Sequence, residues 1–146
     1  MFSFVSLRRD SRHILSIYGI GLLFGRIALA GIFLRSGIEK ILFYAETQSY
    51  WIGHNVPAMI LPIVIMFELA SAMSILLGWK TRSACILLAG FSLVTAVVFH
   101  FDIAAEMVSP LFIENLVIAC GLLVLCVSGP GLMTITKYPH SKYVFS

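Results

Sequence analysis

Four apolar stretches, each about as long as a bilayer's hydrocarbon core is thick, take up most of this chain and leave it few folds to choose from. They run roughly over residues 14–34, 59–79, 83–101 and 111–131. A helix needs about 20 predominantly apolar residues to cross a membrane. The third stretch is the cleanest, with no formal charge from Ser83 to Phe101. Composition points the same way: the chain is 60% hydrophobic and only 12% charged, with a mean hydropathy of +0.99. A soluble domain carries about 25% charged residues, so a monomer of this composition has too little polar surface for water. The expected fold is all-α, a single membrane domain over residues 1–146 built as a four-transmembrane-helix bundle. Short turns punctuate it. Gly78 to Arg82 separates the second and third spans, and Gly129-Pro130-Gly131 ends the fourth, because proline lacks a donor and glycine tolerates the terminating conformation.

Basic residues set the orientation expected for such a bundle. Arg8, Arg9, Arg12, Lys80, Arg82, Lys137 and Lys142 all fall on one side, and Lys40 alone on the other, beside Glu39, Glu46, Asp102 and Glu106. Both termini are therefore expected in the cytoplasm, and the net charge of +3 reflects topology, with no nucleic-acid partner implied. Arg8, Arg9 and Arg12 ahead of an apolar run also imitate a signal peptide, but Arg26 interrupts that run just before Ala28-Leu29-Ala30, so the segment is read as a retained first span. On the outer side, residues 44–58 are polar and aromatic. Tyr50 and Trp51 there suit an interfacial anchor, and the whole segment suits a cap.

Polar residues inside the spans are where function is sought. With a rise of about 1.5 Å per residue, Arg26 in the first span and Glu68 in the second come within about 2 Å of each other in depth. An isolated charge there costs about 2.5–3.5 kcal/mol on insertion scales, so an Arg26–Glu68 ion pair is expected. It serves either helix packing or a ligand site. Farther out lie His100, about 12 Å from the middle of its span, and Asn115 with Glu114, about 9–11 Å from theirs. Helical periodicity places Phe33, Gly37 and Lys40 near the line of Arg26 and Arg35 on the opposite side, where it can pair with Glu39 or reach the headgroups. Gly31 and Gly37 are expected to let neighbouring helices approach closely. The sum is a polar pocket in the outer half of the bundle, with Arg26, Lys40, Glu68, His100 and Asn115 as its candidate binding residues.

Other chemistries find little support. His100 is the only histidine inside a span and has no partner at metal-ligand spacing, so no metal site is expected. No serine or cysteine has a base at a defined spacing, and no phosphate loop or dinucleotide fingerprint occurs. Cys85, Cys120 and Cys126 are odd in number, lie within apolar segments and form no CxxC pair, which suits plain packing.

Taken in order, Arg26, the run Gly37-Ile38-Glu39-Lys40, Glu68, Gly78 with the basic turn Lys80–Arg82, His100, Asn115 and Gly129-Pro130-Gly131 resemble the DoxX family of small four-helix membrane proteins. The resemblance spans roughly residues 20–135. It departs after the Gly-Pro-Gly, where the family often has a Ser-x-Asp-like ending and this chain reads Leu132-Met133-Thr134-Ile135-Thr136. It implies association with quinone-linked redox systems in the inner membrane. The expected role is a quinone-interacting or accessory subunit, with other membrane subunits or a second copy as partners and possession of a catalytic activity left open. Two alternatives stand beside it: a non-enzymatic assembly or anchor subunit, and a small-solute or proton permease.

Overall fold

The structure, a computed structural model, describes residues 3–100, 109–131 and 134, with side chains from residue 17 onward. Asp102, Glu106, Lys137 and Lys142 lie outside the described residues, as do the side chains of Arg8, Arg9 and Arg12. Among the described residues five α-helices follow one another: α1 (Ser3–Leu42), α2 (Tyr44–Gly53), α3 (Leu61–Leu77), α4 (Thr81–His100) and α5 (Pro110–Ser128). A short 3-10 turn, Ala58–Ile60, leads into α3. Four segments among the described residues are long and apolar enough to cross a membrane: Ile17–Leu42, Ala58–Leu77, Thr81–His100 and Pro110–Ser128. The chain is an all-α membrane bundle, as its sequence leads one to expect.

The first span is longer than its apolar run. It continues through Arg35, Glu39 and Lys40 to Leu42, because those side chains find partners and need not end the helix. Its middle therefore lies near residues 29–30, not near 24, and Arg26 falls on the opposite side of the midplane from that expected. The segment after it also differs from a plain loop. Residues 44–53 form α2, which is too short to cross and lies at one end of the bundle, called here the cap end. Trp51 on α2 is buried against Leu61, Ile65 and Phe99, so it anchors the cap to the bundle.

At the other end, the turn end, the sequence stops its helices with backbone chemistry. Gly78 adopts a left-handed conformation (φ +75°) as the C-cap of α3, and the next amide, that of Trp79, returns to Ser74 O at 2.9 Å. This satisfies carbonyls that a helix end leaves without intrahelical partners. On α5, Ser109 caps the N-terminus by accepting from the Leu111 amide, with Pro110 in the first turn, where its missing N–H costs nothing.

The helices pack as two pairs, α1 along α3 and α4 along α5, with sparser contact between the pairs. Lipid tails are as apolar as the side chains, so close van der Waals packing of small residues drives such association. Ala30, Ala72, Ala84, Ala89 and Ala119 are accordingly buried in the core, among Phe33, Ile75, Leu88, Leu122 and Leu125. Gly37 lets α1 meet α3: a Cβ there would lie 2.6 Å from Leu69 Cδ2. Gly31 serves no such purpose, since a Cβ added to it would meet nothing within 4 Å. Large apolar side chains such as Phe24, Ile63, Met66, Val117 and Val127 face outward, where lipid covers them. The three cysteines are free thiols, with Cys85 buried in the core.

Candidate functional site

Two basic side chains on one face of α1, Arg26 buried and Lys40 half-buried, organise the polar interior. The first, Arg26, is 2% exposed. Its Nε donates to Ile75 O at 3.1 Å, its Nη2 to Leu76 O at 2.7 Å and its Nη1 to Pro130 O at 2.7 Å. The last carbonyls of a helix are both unsatisfied and electronegative, and a planar guanidinium can serve several at once. Arg26 thereby joins α1 to the end of α3 and to the Gly-Pro-Gly turn that follows α5. Gly78 accommodates this geometry, because a Cβ at that position would come within 2.9 Å of Arg26 Nη2 and 2.7 Å of Thr134 Cγ2.

The expected Arg26–Glu68 ion pair does not form. Glu68 sits seven residues, about 10 Å, nearer the cap end than Ile75, and its partner is Lys40. Lys40 Nζ lies 2.9 Å from Oε2 and 3.1 Å from Oε1 of Glu68, and only the Oε1 contact has hydrogen-bond geometry. Lys40 also donates to Ser36 Oγ one turn earlier, and Ser36 in turn donates to Glu68 Oε1 at 3.3 Å. Both donors thus converge on Oε1. Oε2 is buried, in electrostatic contact with the ammonium, with no donor directed at it. Glu68 is 1% exposed, and a carboxylate so placed is tolerable only with a close countercharge.

This ion pair borders a cavity of about 790 Å³ between the helix pairs at the cap end. The volume falls in the range of small-molecule sites, roughly 300–1,000 Å³. Apolar walls come from Phe33, Val64, Phe91, Val94, Val98 and Ile118, and α2 contributes Thr47, Tyr50 and Trp51. Phe99 holds that cap, with ring centroids 5.7 Å from Tyr50, 5.5 Å from Trp51 and 5.3 Å from His54. Lys40, Glu68, His100 and Asn115, four of the five residues singled out from sequence, line the same cavity. Arg26 does not, because it belongs to the turn end. Arg35 pairs with Glu39 (2.8 Å) on the outside of α1, with 80% of its side chain exposed, as its helical phase requires. Among the described residues, no three His, Cys, Asp or Glu side chains gather as metal ligands would.

Sequence reasoning missed Ser36, Thr95 and the Phe99 cluster. Ser36 was within reach, since it precedes Lys40 by one helical turn on the same face. Phe99 offered no signal, being one more aromatic in an apolar run.

Comparison with known proteins bears directly on this arrangement. The profile of the DoxX family matches residues 21–101, which contain Arg26, Lys40, Glu68, Gly78 and His100. Inner membrane protein YqjF of Escherichia coli is 38% identical over 124 residues, covering 85% of this chain and 95% of that protein. Inner membrane protein YphA of the same organism is 32% identical over 123 residues, covering 80% and 88%. No solved structure matches the chain significantly.

Proposed function

Because the chain belongs to the DoxX family, we propose that it is an inner-membrane subunit of a redox system that holds a quinone-class molecule in the cavity under α2. The observation that carries this reading is the cavity itself: about 790 Å³, walled by apolar side chains, with one buried ion pair at its edge. A quinone needs those two things, an apolar cleft for its tail and a few fixed polar groups for its head. Lys40, Glu68, His100 and Asn115 supply the polar groups, and Glu68 with His100 can pass protons. Arg26 is a fastening of the scaffold in this reading, with no contact to the ligand.

The relatives named above are described as inner membrane proteins, and the bias of basic residues puts the turn end in the cytoplasm and the cavity toward the outer face. A redox role needs an electron carrier from a partner subunit, since the chain offers no cofactor motif of its own.

The test is to purify the protein in mild detergent, extract its bound small molecules and identify both these and any co-purifying proteins by mass spectrometry. A quinone present in stoichiometric amount, lost in a folded Lys40→Met or His100→Ala variant but kept in Arg35→Ala, supports the reading. A constant protein partner with no small molecule would make the chain an assembly subunit instead.

A further inference from the structure

Some side chains that line the cavity also face outward, and these mark where its wall is open. Among the described residues they fall on two opposite flanks of the bundle. On α1, Gly37 turns toward Leu69 of α3, and the lining residues Ile32 and Glu39 lie about 140–160° round the helix from it. Leu29, part of the way round in the same sense, packs on Gly121 of α5, where a Cβ would come within 3.3 Å of it. Ile32 and Glu39 therefore stand on the α5 flank, with Asn115 and Ile118 of α5 lining the cavity beside them. The second opening is between α3 and α4. There Phe67 and Phe91 meet edge to face, ring centroids 5.7 Å apart. Val98 lies within about 20° of Phe91 round α4, and Val94 about 60° away. Both line the cavity, yet they are 42% and 60% exposed. Ile60 and Val64 bring the α3 side to the same space.

These two openings differ in chemistry. At the α1–α5 opening stand Asn115 and Glu39, whose side chain is half exposed and paired with Arg35. Lys40 lies just inside, and His100 is on the α5 side of α4, about 180° round from Phe91. The α3–α4 opening is bordered by Ile60, Val64, Val94 and Val98, and the Thr95 hydroxyl near it donates to its own helix, to Phe91 O at 2.9 Å. Val64, Val94 and Val98 fall within membrane-crossing segments, so hydrocarbon lies outside this opening.

From this asymmetry we propose that the ligand lies across the bundle, with its polar head among Lys40, His100 and Asn115 and its hydrocarbon chain leaving between α3 and α4 into the bilayer. The inference rests on the ligand-binding reading above and narrows the ligand to single-chain amphiphiles, a small polar head on a prenyl or alkyl tail. Lipid is as apolar as the protein's own side chains, so a chain left in the bilayer loses nothing, and the cavity has only to match the head. A chain leaving on the α1–α5 side would instead strip water from the Arg35–Glu39 pair, which is unfavourable. The head is thus held at the polar flank and the tail is directed to the apolar one.

The deciding probe is a decyl benzoquinone with a photoreactive diazirine at the far end of its chain, added to the full-length protein in lipid nanodiscs. Calorimetry, with empty nanodiscs subtracted for partition into lipid, measures its binding. Irradiation, proteolysis and mass spectrometry then locate the label, and labelling that excess plain decyl benzoquinone abolishes is taken as specific. Specific labelling is expected on Ile60, Val64, Val94 or Val98. Specific labelling on Ile32, Glu39 or Ile118 instead, or saturable binding with no specific label on α3 or α4, overturns the exit route and leaves the ligand-binding reading standing. No saturable binding of the probe removes both readings together. As a second measurement, Val94→Trp narrows the α3–α4 opening from the lipid side, and Val117→Trp makes the matching change on the outward face of α5. Plain decyl benzoquinone is expected to bind about tenfold or more weaker to Val94→Trp, because its chain is crowded by the indole. Equal affinity in the two folded variants overturns the exit route. The labelling of the unaltered protein decides the matter even if Val94→Trp fails to fold.

Discussion

Arg26 and Lys40 lie fourteen residues apart on the same face of α1, about 21 Å along its axis, and the fold treats them in opposite ways. Arg26 is surrounded by backbone carbonyls at the turn end, where helices converge and the core of small residues closes behind it. Lys40 faces a carboxylate at the cap end, where the helix pairs separate around a cavity. The first arrangement uses fixed main-chain groups that cannot change charge. The second uses a titratable side chain beside open volume. One end of the bundle is built to stay closed, and the other has room for a ligand and a group able to respond to it.

The comparison breaks most readily at Arg26. Arg26→Ala removes its charge-assisted hydrogen bonds to Ile75, Leu76 and Pro130 and is expected to cost on the order of 3–5 kcal/mol, read as a large drop in thermal stability in detergent. Arg26→Lys should recover only part of it, since one ammonium lacks the planar fork. If Arg26→Ala melts like the unaltered protein, the turn end is not the fastening described here.

Lys40→Met comes next, at roughly 2–4 kcal/mol, because it strands the Glu68 carboxylate in an apolar setting. The double variant Lys40→Met/Glu68→Leu should regain most of that stability while losing ligand, a result that would separate the cap end from the turn end cleanly. A double variant as unstable as the single one would make the ion pair architecture.

Gly78→Ala is expected to lose about 1–3 kcal/mol, from the positive φ and from crowding against the Arg26 guanidinium. Chemical denaturation would show it, and a larger loss in Gly78→Ala than in Gly31→Ala would confirm that the turn end depends on that contact. Arg35→Ala should change stability by no more than about 1 kcal/mol, as exposed pairs generally do.

Much of this could be read before any coordinates. The four spans follow from the apolar runs, and the common face of Arg26, Phe33, Gly37 and Lys40 follows from helical phase, since burial depends on that phase. The pairing of Arg26 did not follow. A depth estimate depends on where a helix ends, and α1 runs eight residues beyond residue 34, where the span was expected to end, because Arg35, Glu39 and Lys40 are paired. Backbone carbonyls are also silent in a sequence: every residue has one, so nothing marks Ile75, Leu76 and Pro130 as partners. The cap illustrates a third limit. Nothing next to Trp51 in the sequence announces that Phe99, 48 residues later, packs on it.

Three carbonyls that Arg26 engages among the described residues also imply an order of events while the chain is being made. When α1 enters the bilayer, its guanidinium has none of them; Ile75 O and Leu76 O come with α3, and Pro130 O only after α5 has crossed. A charge at that depth is costly while it waits. The first helix is therefore best retained beside the insertion machinery until the last has arrived, and completion of the chain is registered by a residue laid down near its beginning. A polypeptide stopped at Ser128 would keep every membrane-crossing helix yet deny Arg26 its Pro130 contact. In pulse-chase it should be cleared faster than the full-length protein, and equal lifetimes would argue against this order of assembly.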